Sequence, residues 1–131
     1  MPEDIRDRSF RFATRVVKLC QTLDATPGVS RTLANQLLRS GTSIGANIEE
    51  ANGSQSRADF VAKMYISCKE ARETHYWLRL LIATDLVPEG RLTELVDEAN
   101  QLVAILTAIV KNTRRKSEER VVNSEKKKEH P

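Results

Sequence analysis

Apolar residues recur at Phe12, Val16, Leu19 and Leu23, a 4, 3, 4 spacing that lays them along one stripe of a helix. This first helix starts between Asp4 and Ser9, and the run from Asp24 to Val29, with Pro27-Gly28 inside it, ends it. A second stripe runs through Leu33, Leu37, Ser40, Ile44, Ile48 and Ala51, with Ser30 as its expected N-cap and Asn52-Gly53 as its stop. Ser56 followed by Asp59 resembles a capping box, after which Phe60, Met64, Ser67, Ala71, Thr74, Leu78 and Leu81 carry a third helix to about Thr84. Pro88 suits a first helical turn, and Leu92, Leu95, Ala99, Leu102, Leu106 and Ile109 form the fourth stripe. No segment alternates as a strand would, and no internal repeat is present.

Short connections between long helices favour antiparallel neighbours, so the pattern predicts an all-α, up-down-up-down four-helix bundle. The bundle domain spans residues 1–116, and 117–131 form a tail at the basic C-terminal end of the chain, disordered or a frayed helical extension, because Val121 and Val122 are its only apolar residues. One local conflict lies in the second helix, where Ser40, Gly41, Ser43, Gly45 and Ala46 crowd small residues into the interior. A glycine there costs about 1 kcal/mol relative to alanine. The expected compensation is a close backbone approach, inside the bundle or from a second subunit; the alternative is a kink.

With 131 residues, 40% of them hydrophobic, the chain suits one domain that buries its own core. No stretch reaches the roughly 18 consecutive apolar residues of a membrane helix, and acidic residues among the N-terminal arginines argue against a signal peptide, so a cytoplasmic protein is expected. The formal charge of +3 is uneven: residues 111–131 hold eight Lys/Arg against four Glu, and the body is near neutral. Cys20 and Cys68 stand alone in apolar pattern and are expected to be reduced core residues.

Catalytic inventories find little support. A di-iron bundle needs Glu-x-x-His pairs, and neither His75 nor His130 follows a glutamate by three. Glu70-x-x-Glu73 with Glu94-x-x-Asp97 resembles the magnesium-binding motifs of all-helical nucleotide pyrophosphohydrolases, but a hairpin turning near Val87 offsets the two pairs by about seven residues, roughly 10 Å. Glu94, Asp97 and Glu98 fit a solvated face better, and His75 a packing or surface role. Phosphate-binding glycine loops and nucleophile signatures are absent. No metal or cofactor is expected, and the magnesium-dependent pyrophosphohydrolase is the third-ranked function.

The cations carry more information. Arg8, Arg11, Arg15 and Lys18 form a ridge along the first helix, and Lys69, Arg72, Tyr76 and Arg79, with Trp77 adjacent, share that spacing on the third. Cations interleaved with aromatics suit phosphate contact and base stacking. Glu70 and Glu73 interleave with the second set, which is equally the composition of an ordinary solvated face.

The segment from Gln36 to Leu81 resembles the bacterial four-helix-bundle family named for intervening sequences of 23S ribosomal RNA. Gln36, Arg39, Ser40, Ser43, Ile44, Asn47, Ile48 and Glu50 match its second-helix pattern, and Phe60, Glu73 and Leu78 its third. Glu49 and Ala51 depart from the commonest pattern, in which alanine and glycine are usual, but follow a branch with the "EAN" form. Weaker similarity extends over residues 5–113. The resemblance implies a ring-shaped homopentamer without enzymatic activity, with Gln36, Arg39, Ser43, Asn47, Glu50 and Glu73 as motif or packing residues. A related basic pentamer, the accessory factor of diversity-generating retroelements, partners a reverse transcriptase and nucleic acid. The expectation is a self-assembling module that binds RNA or DNA through its basic helix faces, or a protein-binding adaptor without nucleic acid.

Overall fold

The structure, a computed structural model, describes residues 4–129. Met1–Glu3, His130 and Pro131, which the expected domain and tail include, lie outside the described residues. Four helices follow in order: α1 (Ile5–Asp24), α2 (Val29–Asn52), α3 (Arg57–Ala83) and α4 (Glu89–Glu129). Each packs on its predecessor across a short turn, while α1 and α4 meet less closely. This is the all-α four-helix bundle that the stripes predict. No helix among the described residues is long and apolar enough to cross a membrane.

Two helix starts follow the sequence signals. The Asp4 carboxylate accepts from the Arg6 amide at 2.8 Å, and Ser56 Oγ accepts from the Asp59 amide at 3.0 Å. Ser30 does not cap α2 as expected. The helix begins at Val29 behind Gly28, whose φ of 94° is a left-handed backbone that a Cβ would strain. Because the chain enters the helix early, the Ser30 hydroxyl lies inside the first turn and donates to the Leu23 carbonyl at 2.9 Å, tying α2 to the end of α1.

The four stripes converge on one core in which Phe12, Val16, Leu37, Ile44, Ile48, Leu78, Leu102 and Leu106 are buried. At three positions the stripe differs from expectation: Ala34 is buried where Leu33 is only partly covered, Val110 is buried where Ile109 is partly covered, and Phe60 lies at the margin. An α-helix drifts against a strict 3.5-residue repeat, so the buried line moves onto a neighbouring residue near its ends.

The small-residue segment of α2 lies inside an unbroken helix and serves two contacts at once. Toward α1, a Cβ built on Gly41 would stand 2.8 Å from Val16 Cγ1, and one on Gly45 would stand 3.3 Å from Ser9 Oγ. Toward α3, Ser67 Oγ donates to the Ile44 carbonyl at 2.8 Å, and the Thr74 hydroxyl sits 2.9 Å from Ser40 Oγ and 2.8 Å from the Glu70 carbonyl. The close approach that the glycines imply is therefore within the bundle. Among the described residues no buried side-chain polar atom lacks a hydrogen-bond partner, so these hydroxyls enter the core without a desolvation penalty left standing.

Helix α4 is 41 residues, about 60 Å. Beyond Lys116 it continues as helix to Glu129, and from Glu118 to Lys127 its side chains are exposed. Those residues form a solvated helical extension with no share of the core.

The two glycines should respond differently to alanine. At Gly41 the stiff, buried Val16 cannot yield, so overpacking of about 1–3 kcal/mol outweighs a propensity gain of about 1 kcal/mol. Gly41→Ala should lower the urea midpoint, and Gly45→Ala, whose neighbour needs to give only slightly, should leave it nearly unchanged. A stabilised Gly41→Ala would refute the close α1–α2 contact.

Candidate nucleic-acid interface

The two basic helix faces have different surroundings. On α1, Arg8 reaches α4, where it pairs with Glu98 and donates to Gln101 Oε1 at 2.9 Å. Arg15 pairs with Glu94 of α4 at 3.1 Å. Arg11 is exposed on the same ridge, and Lys18 lines the α1–α4 groove beside Arg15 and Arg91. Glu94 keeps the solvated position expected of it, 85% exposed even as it pairs with Arg15, whereas Glu98 is largely covered against Arg8 between the loosely packed α1 and α4; Asp97 is exposed and turns along its own helix, accepting from Gln101 Nε2 at 3.0 Å. The α1 ridge is thus partly neutralised by carboxylates that are remote in sequence.

On α3 the reverse holds. Glu70 and Glu73, which interleave with the cations in sequence, turn toward α2, where Arg39 reaches Glu70 at 3.4 Å and pairs closely with Glu73. Glu73 also accepts from the Trp77 indole N–H at 3.2 Å. The bonds from Arg39 hold the Glu73 carboxyl below the ordinary carboxylate range, against a smaller opposing effect of burial, and Trp77 adds to them. No carboxylate is left within ion-pair distance of Lys69, Arg72 or Arg79 among the described residues.

The outer line of α3 therefore carries Tyr65, Lys69, Arg72, Tyr76 and Arg79. Tyr76 is 53% exposed, and its ring meets Trp77 edge to face with centroids 5.1 Å apart. Tyr65 is 41% exposed, with the Lys69 ammonium 5.7 Å and the Arg114 guanidinium of α4 5.2 Å from its ring centroid. Tyr65 and Arg114 are not among the residues that the sequence singles out. Extending the 4, 3, 4 spacing back from Lys69 finds the tyrosine; Arg114 needs the α3–α4 packing.

The motif residues of α2 form a polar line beside this seam. Gln36 is exposed, Ser43 Oγ donates to the Arg39 carbonyl at 2.6 Å, Asn47 Nδ2 donates to the Ser43 carbonyl at 2.8 Å, and Glu50 pairs with Lys63 of α3 at 2.9 Å.

This arrangement separates the two acidic pairs that resemble a magnesium site. Glu70 and Glu73 face α2 and Glu94 faces α1, and no group of three or more His, Cys, Asp or Glu among the described residues is placed to hold a metal ion. His75 sits half-buried in the α3–α4 groove near Asp97 and Asn100, its pKa lowered by burial and by Arg79. Both cysteines are buried; burial, helped by Asp24, pushes the Cys20 thiol up to about 11, which disfavours a reactive thiolate.

A family model described as 23S rRNA-intervening sequence protein matches residues 3–108. The chain belongs to that family. It is similar to a solved structure titled a protein with unknown function from the S23 ribosomal protein family of Bacteroides thetaiotaomicron, 42% identical, with a TM-score of 0.77 over 82% of this chain and 99% of that one. No curated protein shows significant similarity. The family match ends before the exposed extension of α4, so the relationship covers the bundle and its α2–α3 polar seam.

The Arg39–Glu73 pair should be visible in the pH dependence of stability. A carboxyl depressed in the folded state contributes stability above the unfolded glutamate pKa, about 4.3, and loses that contribution as pH falls through the folded value. Half of the Arg39 side chain and a third of Glu73 are exposed, so the pair is worth at most about 1 kcal/mol. Arg39→Met should be less stable than wild type at pH 7, with the difference closing in acid. A difference that persists in strong acid would mean that Arg39 acts through packing alone.

Proposed function

We propose that this member of the family is a non-enzymatic, self-assembling module that binds RNA or DNA along the outer face of α3. The observation that carries this reading is the diversion of Glu70 and Glu73 onto Arg39, which leaves Lys69, Arg72 and Arg79 on one line with two exposed tyrosines. Phosphates take the place that carboxylates hold on α1. The family resemblance supports a homopentamer, and in a ring the stripe is presented five times, so individually weak sites add along one ligand. The Arg8, Arg11, Arg15 and Lys18 ridge takes the smaller share, because Glu94 and Glu98 compete for Arg15 and Arg8.

The alternative, a protein-binding adaptor, is favoured by a different surface. Phe10, Thr14, Val17 and Gln21 recur at 4, 3, 4 as an uncharged line on α1, in which Phe10 is largely exposed. Val17 and Gln21 meet Leu38 of α2 at a shallow hollow between the two helices. That strip suits another copy of the chain or a protein partner such as a reverse transcriptase.

Salt-dependent binding separates the possibilities. Each phosphate interaction removed should reduce the slope of log affinity against log salt by about 0.7 to 0.9. Lys69→Gln with Arg72→Gln and Arg79→Gln should flatten the slope for unrelated sequences alike, whereas Arg15→Gln with Lys18→Gln should change it less. A larger effect from the α1 pair would move the site to that helix, and absence of binding at low salt by the wild-type protein would leave the adaptor in its place.

A further inference from the structure

Resting on that reading, we infer that Tyr76 is a stacking platform for an unpaired nucleobase, held in place by a relay that begins on α2. Arg39 pairs with Glu73, Glu73 accepts the Trp77 indole N–H at 3.2 Å, and the Trp77 ring meets Tyr76 edge to face at 71°. Each link limits the rotation of the next, so an exposed tyrosine that would otherwise sample several rotamers is fixed from behind. Preorganisation of this kind lowers the entropic cost of binding.

The surroundings of the ring fit a base flanked by phosphates. Tyr76 borders a shallow hollow of about 210 Å³ lined by Arg79, Leu80 and Ala83, apolar on its floor with one cation at its rim. Arg72 lies four residues before Tyr76 and Arg79 three after it, which brackets the ring with a guanidinium on each side, each about one helical turn away. Bases in a duplex keep their faces in the stack and cannot reach such a ring, whereas a single strand offers a face at every nucleotide. The ligand class is therefore single-stranded nucleic acid in preference to duplex.

Trp77 is the only tryptophan of the chain and touches the platform, so its emission reports the event directly. Short oligothymidylate, an abasic strand of equal length and a duplex are titrated into the full-length protein at low salt, with fluorescence and anisotropy read together. Oligothymidylate should bind more tightly than the duplex and change Trp77 emission. The abasic strand should bind more weakly and leave the emission unchanged. Tyr76→Leu should weaken oligothymidylate by about 5- to 150-fold, the range of one stacked base, while Tyr76→Phe keeps the ring and the affinity; melting curves confirm that both variants fold. Equal binding by wild type and Tyr76→Leu, or an emission change with the abasic strand as large as with oligothymidylate, would overturn the platform and leave the electrostatic reading standing. Failure of every strand to bind would remove both.

Discussion

The close packing of the middle of α2 between α1 and α3 sets the geometry of everything else. Gly41 and Gly45 let α1 approach through Val16 and Ser9, while Ser40 and the Ile44 carbonyl are held by Thr74 and Ser67 of α3. A larger residue at Gly41 would meet a branched, buried side chain that has nowhere to go, so the segment trades helix propensity for proximity. The hydroxyl contacts to α3 are directional, and they fix its register as well as its distance. With Ser40 opposite Thr74, Arg39 falls beside Glu73, the residue before Thr74, and Glu70, one turn earlier.

From that register the electrostatic character of the two basic faces follows. Arg39 draws both glutamates of α3 off the outer surface, so the cations of that helix keep tyrosines as neighbours. On the other side, α1 and α4 stand farther apart, and the gap is crossed by arginine and glutamate side chains long enough to span it. The same residue type thus serves as a brace in one seam and as available positive charge in another. Partner geometry decides which, since a cation satisfied by a carboxylate has less to gain from a phosphate.

The four stripes, the turns and the bundle are legible in the sequence because burial imposes a period that survives in the spacing of Val16, Ile44, Leu78 and Leu102. The glycine and serine cluster is legible as a close contact, though not which helix makes it. The braces are hidden, because pairing Arg15 with Glu94 depends on the rotation of two helices about their own axes, which periodicity does not fix. For the same reason Glu70 and Glu73 read as neutralising neighbours of Lys69 and Arg72, when their side chains point to another helix. Ser30 misleads for a local reason: the positive φ of Gly28 starts α2 early and frees the hydroxyl to bind α1.

The division of labour between braced cations on α1 and available cations on α3 is the central claim, and arginine side-chain NMR during titration with a single-stranded oligonucleotide tests it most directly. The Nε–H resonances of Arg72 and Arg79 should shift progressively, while those of Arg8 and Arg15 stay in place. Movement of Arg8 and Arg15 with Arg72 and Arg79 unchanged would contradict the account.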